Sequence, residues 1–356
     1  MTFIDWSILV IYLIFSLLLG LYFSLKNHNE ADYFVAGRRL NGLIAGMSMA
    51  ATTFSIDTPL YVAGIIGTRG LAGNWEWWSF GLAHVAMTVI FAPLWRRSDV
   101  LTDAAFTELR YGGKPASYLR GIKAFLLSVP INCIGIGYAF LAMRKVAESL
   151  GIVDGHIVYG VFTDTILLMI IVALFLLIYT VIGGLWAVVL NDFVQLVLAL
   201  VGALAVCYVA IDASGGMTNL LSKLEELDRP ELLSVFPWTF DKNGIRWLEN
   251  SGISISTFLA FISLQWWSFR RSDGGGEFIQ RLLATKDEKQ ATLAGIVFLI
   301  VNYLIRSWLW ILVGLSALVL LPYQTDWELS YPILAVTYLP PVGLGLVVVS
   351  MVAAFM

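Results

Sequence analysis

Apolar stretches of about 20 residues alternate with short polar connections along the chain. A helix of about 20 apolar residues crosses the roughly 30 Å hydrocarbon core of a membrane. The pattern therefore predicts nine membrane-spanning helices, at residues 3–25, 43–67, 77–95, 122–143, 162–182, 185–211, 252–269, 292–321 and 331–356. The predicted fold class is all-α, a polytopic membrane protein with one transmembrane domain over residues 1–356.

The second apolar run contains a cluster of polar residues. Its members are Thr52, Thr53, Ser55, Asp57, Thr58 and Pro59. A carboxylate at the middle of a membrane helix costs about 2.5–3.5 kcal/mol on insertion scales, so it usually faces a partner, a water-filled cavity or an ion path. Pro59 lacks a backbone donor and disfavours helix at Thr58, which frees carbonyl oxygens near Asp57. The cluster predicts either a cation-binding break or a kinked, packed helix whose hydroxyls bond its own backbone.

Basic residues are concentrated in the connections after the first, third and seventh predicted spans. These connections hold 14 of the 22 lysine and arginine residues: Lys26, Arg38, Arg39, Arg96, Arg97, Arg110, Lys114, Arg120, Lys123, Arg270, Arg271, Arg281, Lys286 and Lys289. All three lie on one side, which the positive-inside rule makes cytoplasmic. Because the first apolar run has no basic segment before it and no cleavage site, we predict a retained helix with an extracytoplasmic N-terminus.

Composition supports a membrane protein and excludes several other classes. The chain is 59% hydrophobic and 13% charged, with a mean hydropathy of +0.81, whereas soluble domains are about 25% charged. The net charge of −3 and the scattered basic residues argue against nucleic-acid binding. Cys133 and Cys207 lie in apolar stretches, the histidines have no neighbours at metal-ligand spacing, and no hydrolytic motif is visible.

Four motifs follow one another along the chain: ADYFVAGRRL at 31–40, SMAATTFSIDTP at 48–59, YTVIGGLWAVVLNDFVQ at 179–195 and QRLLATKDEKQA at 280–291. Together they resemble the sodium:solute symporter family, which includes sodium-coupled carriers of sugars, proline, iodide, vitamins and sialic acid. The third motif is the most specific. The resemblance covers nearly the whole chain and implies the leucine-transporter-type fold, built on two five-helix repeats of inverted topology.

The resemblance also implies a division of the chain. Residues 1–42 would be an extra N-terminal helix and loop, 43–211 the first repeat, 212–250 an extracytoplasmic loop and 251–356 an incomplete second repeat. The last two helices of the family's core are missing, and the final apolar run stops at Phe355 and Met356 without a polar flank. We therefore expect a chain truncated in the second repeat, with doubtful transport activity by itself.

The family's ion site implies sodium ligands at three positions. They are the backbone carbonyls of Ala51 and Phe54 on the broken helix and of Ala354 in the final run. Two hydroxyl ligands would fall just after Met356. Sodium is the cofactor that the resemblance implies, as a co-transported ion, and we expect the chain as given to bind it poorly.

The family's sugar carriers imply solute-binding residues on three helices. They correspond to Asp57, Thr58, Glu76, Ser79, Gln265, Trp266 and Trp267. Glu76 and Ser79 share a helix face because they are three residues apart, although Glu76 is also explained as an interfacial charge in an aromatic belt. The paired tryptophans admit the same interfacial explanation, and the glycine-rich insertion after them leaves their register open.

Three polar residues in apolar runs remain to be placed. Arg306 needs a partner or a cavity, which Asp57 or the solute would supply, unless it reaches the membrane surface. If Arg306 faced the cavity, a carboxylate-bearing solute would be favoured over a sugar. Asn132 is expected to line the path or to bond a neighbouring helix. Asp192 is expected to be a structural ligand of the tight cytoplasmic turn at Gly183 and Gly184.

We therefore predict a sodium-coupled secondary transporter that imports a small polar organic solute, with a sugar favoured, by alternating access. Its partners would be the solute, sodium and the lipid bilayer of the cell (inner or plasma) membrane, and no nucleic acid. Two alternatives remain open. One is the membrane unit of a sensor in a signalling protein, and the other is a carrier of an amino acid or a carboxylate.

Overall fold

The computed structural model describes residues 2–25, 28–159, 162–242, 244–269, 272–273 and 275–355. The helices in these ranges are α1 (Phe3–Ser24), α2 (Glu30–Val35), α3 (Gly42–Thr52), α4 (Asp57–Gly73), α5 (Trp75–Ser98), α6 (Asp103–Tyr111), α7 (Gly113–Ser149), α8 (Asp164–Ala213), α9 (Gly216–Glu226), α10 (Ile255–Ser268), α11 (Gly275–Leu283), α12 (Glu288–Leu320), α13 (Ser330–Tyr338) and α14 (Gly343–Phe355). Three of the predicted cytoplasmic charges, Lys26, Arg270 and Arg271, lie outside the described residues.

Two small antiparallel sheets lie in the connections between helices. Strands β1 (Ile157–Tyr159) and β2 (Phe162–Thr163) pair before α8, and β3 (Trp238–Asp241) and β4 (Gly244–Trp247) pair before α10. Trp238 lies opposite Trp247 in the second hairpin. These short strands leave the helical character of the fold unchanged, so the all-α prediction holds for the transmembrane part.

The helices reproduce most of the predicted spans but not their number. Among the described residues, five helices are long and apolar enough to cross a membrane, or six if α3 and α4 count as one bent span. Helix α8 covers two predicted spans, which meet at Gly184, where the backbone leaves the helical conformation with φ 64° and ψ −175°. Such a φ is accessible mainly to glycine. At 14 residues, α10 reaches only about 21 Å.

The final predicted span is wrong as a single helix. Residues 331–356 were expected to cross the membrane in one piece, but α13 ends at Tyr338 and α14 begins at Gly343. Pro340 and Pro341 separate them. Proline lacks a backbone donor and restricts the residue before it, so two prolines in succession end the first helix.

Helix α3 lies against α12, and two glycines allow the close approach. A Cβ on Gly42 would lie 2.6 Å from the carbonyl oxygen of Gln290, and one on Gly46 would lie 2.5 Å from that of Ala294. Small residues let helix backbones approach each other where lipid provides no hydrophobic driving force. This contact places the end of α3 beside the middle of α12.

A buried charge cluster joins α3, α8 and α11. Arg281 donates from Nη2 to Asp192 at 2.9 Å and from Nε to the hydroxyl of Ser48 at 2.8 Å. That hydroxyl in turn donates to Asp192 at 2.5 Å. Asp192 is therefore structural, as expected, but it ties three helices together. The turn at Gly184 is instead bridged by Tyr179, whose hydroxyl donates to the Ala187 carbonyl at 3.4 Å.

Candidate functional site

The polar cluster of the second apolar run forms a break between two helices. Helix α3 ends at Thr52, α4 begins at Asp57, and their axes differ by 62°. Pro59 falls in the first turn of α4, where its missing N–H is tolerated. Because α3 stops at Thr52, its last carbonyls lack the N–H donors that a continuing helix would supply. The sequence-predicted break is present, and it leaves acceptors in the middle of the helix bundle.

Arg306 binds these acceptors. Its side chain is fully buried, and Nη1 donates to the Ala50 carbonyl at 2.5 Å. Nη2 donates to the Thr53 carbonyl at 3.0 Å, to the Thr53 hydroxyl at 2.7 Å and to the Asn302 side chain. Carbonyl oxygens carry partial negative charge, so the positive guanidinium is stabilised at the C-terminal end of α3.

Aromatic rings cover the same guanidinium. The rings of Phe54 and Trp310 lie 5.6 and 5.3 Å from its central carbon, within the range of a cation–π interaction. Arg306 ends a π-helical turn, Ile300–Arg306, inside α12. Such turns are frequent at functional sites because they displace one side chain from the regular helical ladder.

A cavity of about 330 Å³ lies beside the break. Its lining combines the break with α5, α7, α12 and the residue after α10, and it includes Thr52, Asp57, Thr58, Tyr138, Tyr303 and Arg306. Asp57 is half-buried, and Thr58 is buried. Of the solute residues expected from the resemblance, these two line the cavity. The hydroxyls of Thr52 and Thr53 donate to the carbonyls of Ser48 and Ala50, each at 2.9 Å, as expected for a kinked, packed helix, and cation binding at the break stays a prediction.

Glu76 and Ser79 do not line this cavity. Glu76 lies 2.6 Å from Nη1 of Arg69 and accepts the Tyr61 hydroxyl at 2.5 Å. The Ser79 hydroxyl donates to the Glu76 carbonyl at 3.1 Å. Both residues are thus engaged within α4 and α5. Their role in solute binding stays a prediction, and reaching a solute would require these contacts to break.

The predicted residues on α10 also lie away from the cavity lining. Trp266 and Trp267 are 46% and 72% exposed, and the Trp266 ring donates to the Ser263 carbonyl at 2.7 Å. Gln265 accepts from the Ser268 hydroxyl at 3.4 Å. Phe269, just beyond α10, lines the cavity instead. The expectation for α10 therefore differs from the structure by the few residues that separate Gln265, Trp266 and Trp267 from Phe269.

The expected sodium ligands are Ala51 on α3, Phe54 in the break after it and Ala354 on α14. The carbonyl of Ala51 accepts the Phe54 N–H at 2.8 Å, which leaves its second lone pair for another donor or an ion. Ala354 lies in the last turn of α14, which packs against α1 and α8. The carbonyls that Arg306 binds are those of Ala50 and Thr53, each one residue before an expected ligand.

A second, smaller cavity adjoins Asp57. It has a volume of about 190 Å³, and Asp57, Tyr61 and Tyr138 line it together with Lys145 and Glu328. Lys145, near the end of α7, lies 2.5 Å from Glu328 and 3.4 Å from Asp326. This ion-pair cluster joins α7 to the connection that precedes α13. Asp57 thus lies between the larger cavity and an ionic bridge.

Sequence reasoning missed the partners of the charged residues. It flagged Arg306 as needing a partner, and the signal was a charge in an apolar run. It did not find the Arg281–Asp192 pair, the Arg69–Glu76 pair or the bridge at Lys145. Each joins residues that are neighbours only in the folded chain, so a single sequence carries no sign of them.

Comparison with known proteins identifies the family to which this chain is similar. The model of the sodium:solute symporter family matches residues 33–356. The sodium/glucose cotransporter of Vibrio parahaemolyticus is 26% identical over 99% of this chain and 65% of its own length. The sodium/sialic acid symporter SiaT of Proteus mirabilis is 24% identical over 68% of this chain and 46% of its own.

A further relative and a solved structure extend this comparison. The sodium-coupled monocarboxylate transporter 2 of Bos taurus is 26% identical over 82% of this chain and 43% of its own. A solved structure of a substrate-bound, outward-open Na⁺-coupled sialic acid symporter shares the fold, with a TM-score of 0.75 and 21% identity over 99% of this chain and 70% of that one. The chain thus spans about two thirds or less of the curated relatives it matches.

Proposed function

Because this chain belongs to the sodium:solute symporter family, we propose that it forms the transport unit of a sodium-coupled symporter. The proposed activity is the import of a small polar organic solute by alternating access. The observation that carries the proposal is the break between α3 and α4, which brings the carbonyls at the end of α3, Asp57 and a 330 Å³ cavity together inside the bundle. Interrupted helices at mid-membrane are where such transporters bind substrate and ion.

The chain is a multi-pass membrane protein. We propose that it lies in the cell (inner or plasma) membrane with its N-terminus extracytoplasmic, because the basic connections then face the cytoplasm. In this orientation the Lys145 bridge would be extracytoplasmic and the Arg281 cluster would lie toward the cytoplasm. We further propose residues 43–211 as the first repeat and 251–356 as part of the second.

Sodium would bind beside the break. The proposed ligands are the carbonyls of Ala51, Phe54 and Ala354. Oxygen donors of this kind suit a small alkali cation, and an ion that bridges two helices favours the arrangement in which both are near. Ion and solute would then each raise the affinity for the other, because both bind the same broken helix.

The solute would bind in the cavity beside Asp57 and Thr58. The names of the relatives specify glucose, sialic acid and monocarboxylates as solutes, and the sugar expected from the resemblance is one member of that range. Glu76, Ser79, Gln265, Trp266 and Trp267 would join the site only after α5 and α10 rearrange. Such a rearrangement is compatible with alternating access, in which one helix bundle moves against another.

The test is uptake into proteoliposomes. We expect labelled solute to accumulate from a panel of hexoses, amino acids and small carboxylates when sodium is higher outside. An equal potassium gradient, and the sodium gradient with an ionophore that collapses it, are the controls. Equal accumulation with and without the sodium gradient would contradict sodium coupling, and no accumulation of any solute under any gradient would contradict transport.

A further inference from the structure

Two opposite charges line the cavity and have no ionic partner in the part of the chain that the structure describes. One is the guanidinium of Arg306, and the other is the carboxylate of Asp57. By contrast, Asp192 and Arg281, which are also buried, pair with each other at 2.9 Å.

The contacts of Arg306 do not neutralise it. Carbonyls, a hydroxyl, an amide and two rings surround the guanidinium, but none carries a full negative charge. Its Nε is buried and has no acceptor among the described residues. A charge inside a membrane costs several kcal/mol unless it is paired, and such residues usually mark a substrate or ion path. One donor and one whole charge of this fully buried side chain are thus unsatisfied among the described residues.

Asp57 and Arg306 do not pair with each other. Both line the same cavity, yet no ion pair within 4.0 Å joins them. Opposite charges in a low-dielectric space attract strongly, so two charges held apart in one cavity favour a ligand that contacts both of them. The cavity volume of about 330 Å³ lies at the lower end of the range for small-molecule sites, which limits the occupant to a small molecule.

We propose that the solute is a small zwitterion whose carboxylate binds Arg306 and whose ammonium group binds Asp57. This assignment rests on the proposed function, since it names the class of solute that the transporter carries. The rings of Trp77, Phe80 and Phe269 also line the cavity, so the body between the two charges would be apolar. An aliphatic amino acid has this combination of groups.

Other solute classes leave a charge uncompensated. A hexose carries no charge and would leave both Asp57 and Arg306 unpaired when the site closes. A monocarboxylate would pair with Arg306 and leave Asp57 beside a second carboxylate at the other end of a small cavity. An amine would produce the converse imbalance at Arg306. A zwitterion satisfies both groups by itself, without a second ion, and losing one charged contact is expected to cost tenfold or more in affinity.

The experiment measures binding to the reconstituted protein by tryptophan fluorescence, with purified wild type in lipid nanodiscs. The probes are L-alanine, L-valine, L-proline, isobutylamine, isovalerate and D-glucose. Isobutylamine and isovalerate are valine without its carboxylate and without its amine. We expect at least one amino acid to bind and, if it is valine, to bind at least tenfold more tightly than either half-molecule. Binding of glucose but of no amino acid, or equal binding of valine and a half-molecule, would overturn the proposal.

Variants assign the two charges. In Asp57→Asn we expect the preference for valine over isovalerate to disappear, and in Arg306→Gln the preference for valine over isobutylamine. Matched controls are the surface changes Asp154→Asn and Arg144→Gln, at side chains that are 72% and 59% exposed. If Arg306→Gln does not fold, Arg306→Lys keeps the charge without the planar fork and should weaken carboxylate binding. Unchanged preferences in Asp57→Asn would overturn the assignment.

The same titrations are run in sodium chloride and in potassium chloride. Charge selectivity tests the zwitterion in either salt, whereas sodium-enhanced affinity tests the coupling. Zwitterion binding that is equal in both salts would contradict sodium symport and leave the solute class standing. Sodium-enhanced binding of glucose alone would support symport and overturn the zwitterion.

Discussion

Two buried arginines contact helix α3, and they differ in what balances their charge. Arg281 bonds the Ser48 hydroxyl and pairs with Asp192 at 2.9 Å. Arg306 bonds the Ala50 and Thr53 carbonyls and has no carboxylate among the described residues. Their exposed fractions are similar, at 6% and 0%. Burial therefore does not distinguish the two arginines, but the presence of an internal counter-charge does.

The difference indicates how the protein divides its tasks. The Arg281 cluster is complete by itself and fixes α3, α8 and α11 together. Arg306 has no carboxylate partner among the described residues, and we propose that a bound solute supplies one. A completed ion pair is lost at a large cost when one partner is removed, whereas an open charge should matter more for the ligand than for the fold.

The largest expected effect is on Arg281. Replacing Arg281 with Gln leaves Asp192 buried without its cation, so we expect a loss of about 3–5 kcal/mol in stability. Thermal unfolding in detergent measures it. The double change Arg281→Met with Asp192→Leu removes both charges and should recover most of the loss. A single variant as stable as wild type would contradict the structural role.

The next effect is on Arg306. Replacing it with Gln removes bonds to two carbonyls, worth about 1.5–3 kcal/mol each, but it also removes a charge whose burial costs about 2.5–3.5 kcal/mol. These effects oppose each other, so stability should change far less than in Arg281→Gln. The affinity for the zwitterionic probe should fall at least tenfold. Equal destabilisation of the two variants, with unchanged affinity, would erase the contrast.

The third test concerns the partly exposed ion pairs of Lys145. Its side chain is 33% exposed, and those of Asp326 and Glu328 are 44% and 40% exposed. Water screens such pairs, so Lys145→Gln should change stability by less than about 1 kcal/mol. If the bridge closes the site from one side, the variant should still release bound solute faster in a stopped-flow measurement. Arg144→Gln on the same helix is the control.

The smallest effect concerns Glu108 in the connection between α5 and α7. A hydrogen bond from Ser117, followed by one from Arg120, holds the pKa of Glu108 below its ordinary value of 4.5. Stability from a lowered pKa is present above the ordinary value and is lost as the pH falls through the lowered one. Arg120→Gln should therefore reduce stability slightly at neutral pH and not below the lowered pKa. An effect that grows toward acid pH would contradict this assignment.

The positions of most helices and of the break could be predicted from the sequence, but the side-chain contacts in and around the cavity could not. The run of hydroxyls before Pro59 predicted the break between α3 and α4, because local chemistry decides where a helix can continue. The same reasoning applied to Pro340 and Pro341 would have divided the last predicted span. Glu76 was placed by resemblance, while its actual partner Arg69 lies on the preceding helix and was invisible to helical spacing within α5.

The roles of Arg281 and Arg306 lay beyond a single sequence for a related reason. Both are basic residues near or within apolar runs, and their difference depends on which side chains approach from other helices. Asp192 reaches Arg281 across 89 positions of chain, and Arg306 reaches Ala50 across 256. Contacts at such separations follow from the tertiary fold, which the local pattern constrains but does not specify.

The central claim is that the cavity at the break holds a solute between Asp57 and Arg306. The most direct measurement is a cryo-electron microscopy map of the protein in a lipid nanodisc with sodium and the tightest-binding amino acid. The account predicts solute density in the cavity, with its carboxylate at Arg306 and its ammonium group at Asp57. Solute density elsewhere, or a direct ion pair between Asp57 and Arg306 with no space between them, would contradict it.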